Sequence, residues 1–139
     1  MNALGQAITW LNDPLNWTNP GGILDRLGEH LWISFAAVAI GALIAWPIGL
    51  WLGHAGRGGG AVVLISNVTL AIPTVALLTI LPLTPLGFGQ RPVILALAVF
   101  AVPPLLANAY TGLRQIDPET RDAARGMGLS GGQLLRRVE

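Results

Sequence analysis

Three long stretches of the chain carry no charged residue: 31–53, 58–90 and 92–113, of 23, 33 and 22 residues. The hydrocarbon core of a bilayer, ~30 Å thick, takes about 20 apolar residues as helix, so each stretch is long enough to cross it. The pattern predicts membrane spans at about 31–52, 61–82 and 92–112, and with them an all-α integral membrane fold. A soluble bundle needs polar outer faces on its helices, and these stretches supply none. A cleaved signal peptide fits the first stretch poorly. It is too long, and only Arg26 precedes it closely, beside Asp25 and Glu29.

Within the first span Ala37, Gly41, Ala45, Gly49 and Gly53 recur every fourth residue. Such positions share one face of a helix, and small residues there let a second helix approach closely. Chance in an Ala/Gly-rich chain is the competing explanation. Pro47 is expected to kink this span. The loop at 54–60 is Gly-rich, but no Gly-Lys-Ser/Thr follows, so it is not a phosphate cradle. In the second span Asn67, Thr69, Pro73 and Thr74 interrupt the apolar run. Pro73 frees a backbone carbonyl at membrane depth, which is tolerated against protein or a water-lined pathway; a plain structural kink is the alternative. Residues 83–91 read as a loop. Pro103 and Pro104 sit at the centre of the third span and predict a second broken helix, with Asn108 just beyond as helix–helix glue or a solute contact.

Residues 1–30 form a separate segment on this reading, with the membrane domain at 31–139. Asp13-Pro14 and Asn19-Pro20-Gly21-Gly22 are turn signals. Trp10, Trp17 and Trp32 suit the headgroup level, so the segment is expected along the membrane surface; for residues 1–8 a flexible leader fits equally well. Charge sharpens the picture. Only 11% of the residues are charged, and all eight cations are Arg, against roughly 25% charged in soluble domains. A net charge of +1 gives no case for nucleic acid. With no Cys and two distant His, no metal or cofactor site is expected. Arg26 and Arg91 fall on one side of the predicted spans; Arg57, Arg114, Arg121, Arg125, Arg136 and Arg137 fall on the other. The positive-inside rule then places the tail in the cytoplasm and the N-terminus outside, in a cell membrane.

The tail from Arg114 holds nine of the fifteen charges. Asp117-Pro118-Glu119 is a helix start, with an N-cap, a first-turn Pro and an acid near the positive end of the dipole. Thr120, Ala123, Ala124 and Met127 then fall at i, i+3, i+4 and i+7, a narrow face of small and adaptable side chains. Gly126 and Gly128 can end the helix, and Ser130-Gly131-Gly132-Gln133 fits a capping box that opens another. Such a face can enter a groove on a partner. Equally, the segment can lie on the bilayer with its Arg residues at anionic headgroups.

Asp122-Ala123-Ala124-Arg125-Gly126-Met127-Gly128 resembles the EAA loop of ABC importer permeases, whose core is Glu-Ala-Ala-x-x-x-Gly. Asp122 stands at the Glu position, one methylene shorter. His30-Leu31-Trp32-Ile33-Ser34, Ala71-Ile72-Pro73-Thr74, Asn108-Ala109-Tyr110-Thr111-Gly112-Leu113-Arg114 and Asp117-Pro118 resemble the osmoprotectant branch, the permeases of glycine betaine, carnitine and choline importers. The resemblance covers about residues 25–139. It implies a coupling helix at about 118–127 that docks into a cytoplasmic ATPase, with Asp122, Ala123, Ala124, Met127 and Gly128 at the contact. It also implies a second permease subunit, alike or related, and an external solute-binding protein. No Walker motif is present, so ATP hydrolysis is expected on the partner and the chain is not itself an enzyme. A quaternary ammonium calls for an aromatic cage. One Tyr and three Phe are few for that, which puts the cage on the delivery protein and leaves Trp46 and Trp51 as packing or interface residues. Family permeases continue past this loop into further spans. Three spans do not readily enclose a pathway, so a fragment, a truncated frame or half of a split subunit is expected. A permease for amino acids or another small solute, and a non-transporting membrane scaffold, are the competing functions.

Overall fold

A 33-residue helix, α3 (Ile23–Ala55), dominates the computed structural model, which describes residues 2–139. At 1.5 Å per residue it is about 50 Å long, well beyond a bilayer core. It begins eight residues before the first uncharged stretch, because charge does not end a helix. Asp25 accepts from the Gly21 backbone at 2.9 Å and Arg26 bonds Glu29 at 3.0 Å, so the charged turns are helical too. The edge of the apolar stretch is a change of composition, not the start of the helix. Pro47 lies inside α3 on an exposed side, and the helix continues through it.

Ahead of α3 come α1 (Ala3–Asn12) and α2 (Pro14–Thr18), so the leader is helical. Asp13 caps α2, accepting from Leu15 N at 2.9 Å. Asn16 and Trp17 side chains donate to the Trp10 and Leu11 carbonyls at 2.8 and 2.7 Å and close the corner between the two helices. After α3 follow α4 (Gly59–Ala71), α5 (Thr74–Ile80) with a 3₁₀ turn at Leu81–Leu83, α6 (Gln90–Arg114), α7 (Pro118–Gly126) and α8 (Gly131–Arg137). No strand occurs among the described residues.

The core is the seam between α3 and α6. Ala37, Gly41, Ala45, Gly49 and Gly53 are all buried. Gly41 meets Ala101, Gly49 meets Ala109 and Gly53 meets Leu113. Both helices are read in the same order, so they run parallel. The ends agree: Gln90 at the start of α6 bonds Glu29 near the start of α3 at 3.0 Å, and the Arg114 guanidinium lies beside Gly56 at the far end. Two parallel spans require the chain to return between them. The intervening pair, α4 and α5, bends by 70° at Ile72–Pro73. A re-entrant loop would leave α6 antiparallel to α3. The bent pair therefore acts as the return crossing, and the chain makes three.

α6 corrects the second expected break. It is one continuous helix of 25 residues through Pro103 and Pro104. A proline removes one hydrogen bond and crowds the preceding turn, but packing against a neighbour can hold the helix. Pro103 is fully buried, as is Leu106, which packs with Ala45 of α3 and Val62 of α4. Pro73 has no such support, and Ile72 before it adopts the extended conformation that a following proline favours. Outside the seam, Phe35, Leu43, Trp46, Trp51, Leu64 and Val75 are exposed, an apolar girdle suited to lipid.

Candidate functional site

The α7–α8 hairpin is built by local signals. Asp117 Oδ1 accepts from Glu119 N at 2.9 Å, and Pro118 takes the first helical position. Glu119 lies in the first turn and Arg125 in the last, each matched to its end of the dipole. The helix closes where Met127 N reaches Ala123 O at 3.0 Å and Leu129 N reaches Ala124 O at 3.3 Å. Gly128 sits between them with φ +86°, a conformation that favours glycine. Ser130 and Gln133 then form a reciprocal capping box at the start of α8.

The stripe of small residues divides on this hairpin. Ala124 turns inward and is buried, as is Leu134 of α8. Thr120, Ala123 and Met127 stay outward at i, i+3 and i+7, with Met127 75% exposed. Asp122 and Gly128 are exposed as well. The Asp122 carboxylate bonds only its neighbour Arg125, at 3.5 Å, and both side chains face solvent; such a pair adds little. The outward face is thus a small apolar patch ringed by charge, on a helix too short to be stable alone.

What holds the hairpin beneath α3 is a cluster without a local sequence signal. Glu139 Oε2 lies 2.5 Å from His54 Nδ1, and Oε1 pairs with the Arg121 guanidinium. Arg121 Nη2 also donates to the His54 carbonyl at 3.4 Å, in the last turn of α3. His54, Arg121 and Glu139 lie far apart in the chain, and no spacing rule joins them.

The remaining candidates lie elsewhere. Pro73 and Thr74 are exposed at the bend. Pro104 and Asn108 share an exposed stripe of α6 with Thr111, away from the seam, and Thr111 Oγ1 donates to Ala107 O at 2.7 Å. Ser66, on the face of α4 that also carries Val62, has a buried hydroxyl without a partner. That residue too was invisible in the pattern, since one Ser in an apolar run carries no signal. No group of three or more metal-ligating side chains occurs among the described residues.

Residues 37–139 match the family model described as the binding-protein-dependent transport system inner membrane component. Similar curated proteins include the glycine betaine/carnitine/choline transport system permease protein OpuCB of Bacillus subtilis, 36% identical over 98% of this chain and 60% of its own length. The choline transport system permease protein OpuBB of the same organism is 37% identical over 88% of the chain and 56% of its own length. The carnitine transport permease protein OpuCD of Listeria monocytogenes is 33% identical over 100% and 60%. The chain thus spans about three fifths of the length of these relatives. No solved structure matches it.

Proposed function

Since the chain belongs to the family of binding-protein-dependent transport system inner membrane components, we propose that it forms part of the permease of an ATP-driven importer for glycine betaine, carnitine and choline-type osmoprotectants. The observation that carries the mechanism is the outward face of Thr120, Ala123 and Met127, presented on a hairpin beneath the first span. That face enters a groove on a cytoplasmic ATPase. Movement of the ATPase shifts α7, and α3 and α6, locked together along the glycine seam, tilt as one body. The bent α4–α5 crossing, lacking that lock, is the part free to change shape around a solute, with Pro73 and Thr74 at its bend and Pro104 and Asn108 on the exposed stripe of α6.

The distribution of charge supports an orientation. Six Arg residues lie on the side of the 56–58 loop and the hairpin, and two lie on the side of α1, α2 and the 84–89 loop. That asymmetry supports a cytoplasmic tail and an external N-terminus. A solute-binding protein delivers from outside, and a second permease subunit completes the enclosure. The named relatives support the solute class.

The test is uptake into vesicles by the complete transporter carrying this chain, supplied with its ATPase and binding protein. Labelled glycine betaine should enter only with ATP, and choline and carnitine should compete while amino acids should not. Competition by amino acids, or entry indifferent to ATP, would refute the assignment.

A further inference from the structure

We propose that His54, Arg121 and Glu139 form a buried clamp that positions α7 against the first span and carries its displacement into α3. This rests on the reading of α7 as the ATPase contact. The clamp joins three elements through one carboxylate. The Glu139 side chain, just beyond α8, is fully buried; that of Arg121 on α7 is 11% exposed and that of His54, in the last turn of α3, 28%. His54 Nδ1 lies against one oxygen and the guanidinium forms an ion pair with the other, while among the described residues Arg121 Nε donates and Glu139 Oε1 accepts no hydrogen bond. The same guanidinium nitrogen reaches the His54 carbonyl, one of the unpaired carbonyls that give a helix end its negative character.

Burial makes the cluster all or none. A carboxylate withdrawn from water is stable only while its partners neutralise it, and removing one partner leaves an uncompensated charge. The arrangement is therefore stiff, unlike the exposed Asp122–Arg125 pair on the same helix. No extended packing joins α7 to α3. The short linker 115–117 connects α7 to α6 alone, which leaves the clamp as the direct path from the coupling helix to the first span. It lies off the outward face of Thr120, Ala123 and Met127, so it positions α7 and does not touch the ATPase.

The readout is solute imported per ATP hydrolysed by the complete transporter, with retention of the ATPase on the permease measured alongside. Glu139→Gln and Arg121→Met should each lower the ratio about tenfold, within the range of mutations along a mechanical connection, while the ATPase stays bound. Arg121→Lys should keep most of the ratio, because one nitrogen makes both Arg121 contacts. The double variant Arg121→Met, Glu139→Leu removes both charges, so no charge is stranded: the ATPase should stay bound and the ratio should stay low. An unchanged ratio in the single variants overturns the clamp. So does a full ratio in the double variant, which would reduce the defect to a stranded charge. If the single variants fail to assemble, the double variant decides alone. Ala123→Glu separates the two levels: if it leaves the ATPase bound and uptake intact, the docking reading itself has failed.

Discussion

Ala123→Glu should lower ATP-driven uptake at least about a hundredfold while the permease still inserts and pairs. Ala123 lies exposed between Thr120 and Met127, at the centre of the outward face of α7. A face that docks into a groove must lose its water. A carboxylate there goes into the contact without a partner, at a cost of about 3 kcal/mol or more, and each 1.4 kcal/mol is about tenfold in affinity. Ala124→Glu is the weaker test, although the motif marks both alanines. Ala124 is buried in the hairpin, so a charge there disrupts α7 and α8 before docking is reached. Retention of the ATPase on the affinity-purified permease, measured with uptake, checks the prediction. Full retention with normal uptake would remove α7 from the ATPase contact.

Gly49→Leu should destabilise the permease by about 3 kcal/mol, the upper range for overpacking a tight core. A Cβ on Gly49 would come within 2.7 Å of Ala109 Cβ and 2.9 Å of Leu106 O. One of these is backbone, so the side chain cannot be accommodated by a rotamer change, and α3 must separate from α6. Gly28→Ala, in the same helix, meets nothing within 4 Å. It should be neutral or stabilising by up to about 1 kcal/mol through helix propensity. Unfolding of the two variants in detergent against the parent measures the contrast. Equal stabilities would show that the seam does not depend on close approach.

The contrast between these glycines indicates what could be read in advance. The four-residue recurrence from Ala37 to Gly53 is visible in the chain, but the order in which Ala101, Ala109 and Leu113 lie opposite is not. That order is what makes α3 and α6 parallel and turns α4–α5 into a crossing. Asp117-Pro118 and Ser130-Gln133 announce their helices because capping is chemistry within four residues. Pro73 and Pro103 look alike in sequence. They part company because Pro103 is buried and Pro73 is exposed, a difference set by tertiary contact. The inward turn of Ala124 and the clamp of His54, Arg121 and Glu139 were illegible for the same reason. Composition, in turn, showed the uncharged run that begins at Leu31 but could not see that the helix begins at Ile23.

The most direct test of the account uses the absence of cysteine from the chain. Met127→Cys places a thiol at the exposed tip of the outward face, where a photoreactive benzophenone can be attached to the permease before the ATPase is added. Illumination should yield an adduct with the ATPase, formed only when the label has access to the cytoplasmic side. Adducts with lipid alone would put α7 on the bilayer surface, and the coupling mechanism would fall with it.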